Sequence, residues 1–259
     1  MICYTRNFED VILQRVFADI GEGCYLDIGA SDPVSDSNTY AMYTRGWRGI
    51  ALEPLPFGPL WARDRPKDLF LNVAVGAQSG QVKLQIFQDS QISSVMPATI
   101  SHWQRGGRSP VTHMLVPCVT LNDVLGEHLA ERELHLVSID VEGMEHEVLK
   151  GLDLKRYRPW VMVLEAVLPG SPEHAHHEWE PLLRESGYAE VYFDGVNRFY
   201  LAEERAGLAP RFSLPPNVWD DFETAFQLAL RKENNALKAE LAALKARLAK
   251  AGIGSPPAA

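Results

Sequence analysis

Acidic residues end four apolar runs of this sequence, and each run has the length of a buried strand. Asp27, Glu53, Asp140 and Glu165 hold these positions, and Glu142 follows two residues after Asp140. The carboxyl ends of parallel strands lie along one edge of an open α/β sheet, and ligands of such sheets bind there. We therefore expect these carboxyl groups to meet at one site, where they could accept hydrogen bonds from hydroxyl groups or take up a proton.

The segment YLDIGASDP, residues 25–33, predicts a loop that presents backbone to a nucleotide-type cofactor. Its apolar run ends in Asp27, turns at Gly29 and continues through Ala30 and Ser31. A dinucleotide site needs the pattern G-x-G-x-x-G so that backbone can approach a pyrophosphate, and this loop lacks the second and third glycines. The sequence therefore favours a nucleoside ligand without a diphosphate.

Two further strand ends are predicted to complete this cofactor site. Glu53 lies 26 residues after Asp27, which leaves room for one crossover helix between neighbouring parallel strands. At the end of a second strand, an acidic side chain accepts hydrogen bonds from ribose hydroxyls. The third strand is predicted over residues 69–75, and its last part would face the adenine: Asn72, Val73 and Ala74.

The rest of the pattern alternates between helices and strands. Helices are predicted over residues 8–20, 39–45 and 120–129 and after residue 140, and strands over residues 47–53, 81–87, 135–140 and 160–165. Residues 89–117 mix Ser, Gly, Arg, His and Pro without a period. This stretch reads either as a lid or substrate loop, or as a mobile surface connection.

Composition narrows the class of protein. The chain has 259 residues with a formal net charge of -9 and no Lys/Arg-rich run, which argues against a nucleic-acid partner. No apolar run approaches the roughly 20 residues of a membrane-spanning helix, and no signal peptide is evident at the N-terminus. Three scattered cysteines favour packing roles and a reducing cytoplasm over a disulfide framework.

Several segments are specific when taken together: NFEDVILQRVF, YLDIGASDPVSDSNT, RGWRGIALEP, NVAVG, VPCVTLNDVL, IDVEGMEHEVLKG, WEPLLRESGY and YFDGVNRFYLAEE. Over most of residues 7–204 the sequence resembles the FkbM family of S-adenosylmethionine-dependent methyltransferases. The resemblance implies an α/β, class I methyltransferase (Rossmann-like) fold whose seven-stranded sheet has one antiparallel edge strand. A hairpin of residues 188–193 and 198–201 would complete that sheet.

The resemblance also implies a reaction and its participants. It implies O-methylation with S-adenosylmethionine as the cofactor, commonly of sugars or natural-product hydroxyls, and we expect a sugar, nucleotide-sugar or glycan as the acceptor. The family's motifs carry Asp27, Gly29 and Glu53 over as cofactor residues, and they place Asp140 and Glu142 at the reaction centre.

Methyl transfer to a hydroxyl leaves a proton to be removed. Holding the hydroxyl against the methyl group supplies much of the acceleration, because the reaction is an in-line displacement. The possible general bases are Asp140, Glu142, His146 and the cluster His174, His176 and His177. Alternatively, Asp140 and Glu165 could hold Mg²⁺ or another divalent cation that stabilises the alkoxide. The histidine cluster could equally be solvated loop surface, and His146 could pair with Glu142 across one helical turn.

The composition changes beyond the methyltransferase-like domain, residues 1–205. We predict a linker over 206–219, a coiled-coil helix over 220–251 and a disordered tail over 252–259. A heptad places Asn234, Leu241 and Leu248 at a, Leu230, Leu237 and Leu244 at d, Glu233 and Glu240 at g, and Lys238 and Lys245 at e. This pattern is typical of a parallel dimer or trimer of identical chains, and the alternative is an amphipathic helix folded back on the domain.

Three functions follow as hypotheses. The first is an O-methyltransferase that acts on a sugar or glycan. The second is an NAD-dependent sugar-modifying enzyme, which the missing glycines disfavour. The third is a catalytically silent scaffold that is oligomerised by its coiled coil.

Overall fold

A computed structural model describes residues 1–89, 92–168 and 170–251 of the chain. Its strands are β1 (Ile2–Cys3), β2 (Cys24–Ile28), β3 (Arg48–Leu52), β4 (Leu69–Leu71), β5 (Ala74–Val75), β6 (Gly80–Ile86), β7 (Thr112–Val119), β8 (Leu136–Ile139), β9 (Val161–Glu165), β10 (Tyr188–Phe193), β11 (Asn197–Ala202) and β12 (Glu223–Thr224). Its α-helices are α1 (Glu9–Val16), α2 (Tyr40–Thr44), α3 (Gly58–Asp64), α4 (Pro97–Arg105), α5 (Leu121–His128), α6 (Glu145–Lys150), α7 (Glu180–Glu185) and α8 (Ala225–Lys250).

Seven strands form the main sheet, in the order β10-β11-β9-β8-β2-β3-β4. β4, β3, β2, β8 and β9 are parallel, and β11 is antiparallel to both β9 and β10. The antiparallel strand therefore lies inside the sheet, so the prediction that it stands at the edge is wrong. One reversed strand also distinguishes this sheet from a strictly parallel Rossmann sheet, and the arrangement is consistent with a methyltransferase-like fold.

Helices cover both faces of the sheet, which explains why its central strands are apolar throughout. All five residues of β2 and all four of β8 are buried. Their side chains alternate between two core clusters, one containing Leu26 and Val137 and the other containing Tyr25 and Leu136. Continuous apolar runs of this kind are typical of parallel strands that are buried on both faces.

Residues 69–119 depart from their predicted structure. The single strand predicted over residues 69–75 divides at Asn72 and Val73: β4 joins the main sheet, whereas β5 joins a second sheet of order β5-β7-β6. Residues 89–117 contain α4 and most of β7 instead of a continuous loop, although Ser90 and Gln91 lie outside the described residues. Half of the residues of β7 are exposed and two are buried, which weakened the strand signal in the sequence.

The segment predicted as a linker contacts the domain. Phe212, in a 3-10 helix over Glu203–Phe212, is fully buried beside α1 residues such as Val16. Arg15 donates to the carbonyl oxygen of Arg211 at 2.9 Å and to the Asp220 carboxylate at 3.2 Å. β12 then pairs in parallel with β1.

The C-terminal helix α8 buries none of its side chains. It begins at Ala225, where Thr224 and Gln227 form a capping box, rather than at residue 220. A helix folded back on the domain would bury its apolar face, so that alternative is wrong. The predicted tail at residues 252–259 lies outside the described residues.

Two smaller expectations can also be compared with the structure. Cys3, Cys24 and Cys118 are all buried and free, as predicted. Within the described ranges, no helix is long and apolar enough to cross a membrane.

Candidate active site

A cavity of about 390 Å³ opens at the carboxyl ends of β2, β3 and β8. Its volume falls within the roughly 300–1,000 Å³ that is usual for small-molecule sites. Most of the predicted site residues line it: Asp27, Gly29, Ala30, Ser31, Glu53, Val73, Ala74, Asp140 and Glu142. Asn72 and Glu165 are not among the described residues that line it.

The turn after β2 brings backbone to the end of β8. Gly29 has φ of +78°, and a Cβ built on it would lie 1.7 Å from the carbonyl oxygen of Asp140. Only glycine fits this position, because both the backbone conformation and the space exclude a side chain. Ser31 continues in the left-handed region with φ of +44°, and its carbonyl oxygen accepts a hydrogen bond from the Trp61 indole at 2.9 Å.

Glu53, directly after β3, is buried and fixed by backbone. One carboxylate oxygen accepts from the Ser31 amide at 3.0 Å and the other from the Leu55 amide at 2.8 Å. Burial raises the pKa of Glu53 to about 6, and the two hydrogen bonds oppose that rise. Each oxygen keeps a second lone pair, so the side chain can also accept hydrogen bonds from ribose hydroxyls.

Asn72 supports this loop and does not contact the cavity. Its side-chain amide donates to the carbonyl oxygens of Glu53 and Leu55 at 2.8 and 2.7 Å. We therefore correct its predicted place at the adenine: Asn72 holds the turn after β3, while Val73 and Ala74 line the cavity.

A buried arginine that the sequence analysis missed organises the other side of the Gly29 loop. Arg65 is 1% exposed and donates to Asp68 at 2.7 Å and to the hydroxyl of Thr39 at 2.9 Å. Thr39 in turn donates to the Asp27 carboxylate. Burial raises the pKa of Asp27, and the positive charge of Arg65 opposes that shift. The sequence contains no indication that Arg65 is buried, because a single arginine after a helix belongs to no periodic apolar pattern.

Glu142 combines a strained backbone with an unpaired carboxyl oxygen. It lies before α6 rather than within it, with φ of +54°, and its carbonyl oxygen accepts from the hydroxyls of Ser94 and Thr99 at 3.0 and 3.1 Å. Its Oε2 atom is buried without a hydrogen-bond partner among the described residues. Non-glycine residues in the left-handed region persist where their surroundings fix them, and they concentrate at functional sites.

Several carboxyl groups crowd this edge of the sheet. Desolvation is the largest cause that raises the pKa of Asp140, Glu142 and Glu165. Repulsion from Asp27 adds to the shift of Asp140, and repulsion from Asp140 adds to the shifts of Glu142 and Glu165. Asp140 is exposed to the cavity, but it faces a recess walled by protein rather than open solvent. Glu145 accepts from the backbone amides of Val141 and Gly143, and burial raises its pKa to about 7.

Asp140 and Glu165 do not fit the predicted divalent cation. Among residues 1–89, 92–168 and 170–251, no group of three or more His, Cys, Asp or Glu side chains is arranged to hold a metal ion. Glu165, the last residue of β9, pairs with Asn197 of β11. Because β9 is parallel to β8, Glu165 lies at the same carboxyl end of the sheet as Asp140. Burial is the largest cause that raises the pKa of Glu165, and repulsion from Asp140 adds to it, so this side chain is held in its protonated form near neutral pH.

The predicted histidine candidates lie away from the cavity lining. His176 is buried, with its ring centroid 4.1 Å from that of His177 and 5.3 Å from that of His174. Burial lowers the pKa of His176, whereas His174 and His177 are exposed. Two of the three histidines therefore lie at the solvated surface, as the alternative interpretation predicted, and the third packs beside α7. His146 is in α6 and is also absent from the described lining.

Part of the cavity wall comes from residues that the sequence analysis did not assign to the site. Thr5, Arg6, Asn7 and Glu9 precede or begin α1, and Asn197 begins β11. Glu9 and Asn197 are 188 positions apart and share a hydrogen bond of 2.8 Å. The helical period predicted α1 itself, but no local pattern could place its first residue in the cavity.

A comparison with models of known protein families gives a match. The family model described as "Methyltransferase FkbM domain" matches residues 27–189, which is more than half of the chain. No curated protein matches the chain. The matched residues include the Gly29 loop, Glu53, Asp140 and Glu142, whereas Glu9 and Asn197 lie outside them.

Proposed function

The chain belongs to the FkbM family of methyltransferases, and on that premise we propose that it transfers the methyl group of S-adenosylmethionine to a hydroxyl oxygen of a sugar or glycan. One observation carries the proposal. Glu142, whose buried Oε2 has no hydrogen-bond partner among the described residues, lines the same cavity as the glycine loop after β2. A cofactor cradle and an available proton acceptor thus share one recess.

The residues at the ends of β2 and β3 fit a nucleoside cofactor. The Gly29 loop offers backbone at close range, Glu53 offers carboxylate lone pairs to ribose hydroxyls, and Val73, Ala74 and Leu84 offer apolar contact to a base. When bound, S-adenosylmethionine supplies an electrophilic methyl group on a sulfonium. The absence of a glycine-rich pyrophosphate loop is compatible with this ligand, because it carries no phosphate.

The acidic residues after β8 handle the acceptor hydroxyl. Asp140 and Glu142 both line the cavity, and Glu142 has the oxygen that no protein group occupies. A hydroxyl bound beside this side chain donates to it, and Glu142 in its ionised form accepts the proton as the oxygen is methylated. Burial and repulsion from neighbouring carboxylates raise the pKa of Glu142 to about 9, so the rate of methyl transfer should increase as the pH rises toward that value. Asp140 and the Ser94 and Thr99 hydroxyls that hold the Glu142 backbone are positioning groups.

Calorimetry with the full chain tests this function directly. S-adenosylhomocysteine should bind and NAD should give no heat, while a methyl-transfer screen against neutral glycosides and oligosaccharides should yield methylated product. Binding of NAD in place of S-adenosylhomocysteine would assign the site to a dehydrogenase. Binding of S-adenosylhomocysteine without methyl transfer to any hydroxyl acceptor would favour the scaffold hypothesis.

We also propose that α8 joins identical chains as a parallel coiled coil. Leu230, Leu237, Leu241, Leu244 and Leu248 are each between 46% and 58% exposed. These leucines and Asn234 follow one seam, so a second copy of the helix would cover all of them at once. The charges also favour a parallel arrangement, because Glu at each g position meets Lys at the e position five residues later in a parallel partner.

A further inference from the structure

Part of the cavity wall is built by chain segments outside the family match. The family model ends at residue 189 and begins at residue 27, yet Asn7, Glu9, Val196 and Asn197 all line the cavity. The cofactor loop and Glu142 lie within the matched range. Residues within the family match therefore form one part of the cavity, and residues outside the match form another. The residues outside the match can determine which acceptor binds.

Glu9 and Asn197 form the polar centre of this wall. Both are buried, at 7% and 6% exposure. Asn197 donates to Glu9 Oε1 at 2.8 Å and to Asp194 at 3.3 Å, and the Asn7 amide donates to Glu9 Oε2 at 3.2 Å. The Glu9 carboxylate also accepts hydrogen bonds from its own backbone amide and from the Thr5 side chain, so its orientation in the cavity wall is fixed from the protein side.

The composition of the lining disfavours one class of acceptor. Six acidic residues of the described lining face the cavity: Glu9, Asp27, Asp36, Glu53, Asp140 and Glu142. Its basic residue is Arg6, which forms an ion pair with Asp36 at 2.7 Å. Sites for phosphate groups use arginine or lysine side chains or oriented helix N-termini. A diphosphate would bring two more negative charges into this acidic recess, whereas neutral hydroxyl groups would find hydrogen-bond acceptors.

We infer that Glu9 and Asn197 form the acceptor subsite and that it binds an uncharged, polyhydroxylated molecule such as a glycoside rather than a nucleoside diphosphate sugar. This inference rests on the proposed function and narrows its acceptor. Burial raises the pKa of Glu9 to about 7, so near neutral pH the group exists in both protonation states and can accept from or donate to a hydroxyl.

Ligand-observed NMR on the full chain saturated with S-adenosylhomocysteine tests the inference. The probes are methyl glycosides of common hexoses and the uridine diphosphate derivatives of the same sugars. Methyl glycosides should show saturation transfer, and the uridine diphosphate sugars should not compete with them. A uridine diphosphate sugar that binds more tightly than its methyl glycoside would overturn the inference.

Two variants locate the subsite. Glu9→Gln keeps the shape of the side chain, and Asn197→Ser removes the amide while keeping a small polar group. Each should raise the acceptor KM roughly tenfold or more, the loss usual for a buried hydrogen bond, with the dissociation constant for S-adenosylhomocysteine within twofold. Glu131→Gln is the control, because Glu131 is exposed and precedes β8 at the opposite end of the strand from the cavity.

The outcomes separate the inference from the proposed function. If S-adenosylhomocysteine does not bind the unaltered chain, the proposed function falls, and the inference falls with it. If it binds and both variants retain the acceptor KM, only the inference falls. Circular dichroism of the variants accompanies these measurements. If Asn197→Ser is unfolded, Glu9→Gln alone decides the result.

Discussion

The Cα atom of Gly29 lies so close to the carbonyl oxygen of Asp140 that a Cβ at Gly29 would stand 1.7 Å from it. This contact joins the ends of two neighbouring strands, β2 and β8. The loop that should hold the cofactor and the residue at the reaction centre are therefore packed against each other by backbone alone. Any side chain at Gly29 must disturb both.

Gly29→Ala should destabilise the protein and abolish cofactor binding. A left-handed alanine costs roughly 1–3 kcal/mol, and the clash with the Asp140 backbone adds to that cost. Gly107→Ala is the matched control, since Gly107 has φ of +81° but nothing within 4 Å of its virtual Cβ. Urea unfolding should show Gly29→Ala to be less stable than the control by about 2 kcal/mol or more. Equal losses in the two variants would contradict the close approach.

Glu142→Gln should lower the rate of methyl transfer by roughly a hundredfold or more, the usual contribution of a general base. Binding of S-adenosylhomocysteine should stay within twofold, because the proposed cofactor contacts lie at Gly29 and Glu53. Glu185→Gln, at an exposed position in α7, controls for the loss of a carboxylate. Single-turnover kinetics and calorimetry are the measurements. An unchanged rate would remove Glu142 from the mechanism.

The ligand-free protein should lose stability as the pH rises from about 5 to 8. Burial raises the pKa of Glu145 to about 7, so the folded state favours its protonated form. Stability from this group is fully present below its unfolded pKa of roughly 4.3 and is lost as the pH rises through 7. Glu53 has the same effect on stability, because its pKa is raised to about 6 and the stabilisation is lost as the pH rises through that value.

Glu145→Gln isolates one contribution to that pH dependence. The Oε1 atom of Glu145 accepts hydrogen bonds from the backbone amides of Val141 and Gly143, and a glutamine carbonyl oxygen can replace it. The free energy of unfolding should then fall less between pH 5 and 8 than in the unaltered protein, by up to roughly 3 kcal/mol for this single group. An identical pH slope in both proteins would show that Glu145 is not buried in a protonated state.

Treatment with EDTA should leave methyl transfer unchanged. The expectation follows from the described acidic residues, since Asp140 and Glu165 are not joined by a third side chain suited to a metal ion. Activity should be measured before and after chelation, and again after addition of Mg²⁺. If EDTA lowers the activity and Mg²⁺ restores it, a divalent cation takes part in the reaction.

Sedimentation equilibrium should show an oligomer that depends on the charges of α8. Glu233→Lys with Glu240→Lys places lysine at both e and g positions of every copy, and the like charges should dissociate it. Lys238→Glu with Lys245→Glu should do the same with glutamate. Mixing the two double variants should restore association, because each seam then carries opposite charges. A monomeric unaltered chain would contradict the proposed coiled coil.

The sequence predicted the parts of the site that depend on local order along strands. Asp27, Glu53 and Asp140 were placed together because parallel strands end at one edge, and all three line the cavity. The prediction for Asn72 is wrong because the apolar run over residues 69–75 gives no sign that it forms two strands. These strands, β4 and β5, belong to different sheets, and Asn72 lies between them.

Residues that depend on distant partners could not be predicted from one sequence. Arg65 is buried because Asp68, Thr39 and Tyr25 surround it, and these groups come from separate elements. The left-handed conformation of Glu142 depends on hydroxyls that belong to a stretch without periodic signal. Such positions are fixed by tertiary contacts rather than by propensity.

The position of β11 between β9 and β10 sets an order of assembly. β11 is the last strand of the main sheet along the chain, and it must be inserted between two strands synthesised before it. Among the buried residues that line the cavity, Glu9 is one of the first to leave the ribosome, whereas its partner Asn197 is the last. Contacts of such long sequence separation form late in folding. We expect the Gly29 loop to fold before Glu9 and Asn197 come into contact. The protein should therefore be able to transfer a methyl group only after synthesis of the whole domain.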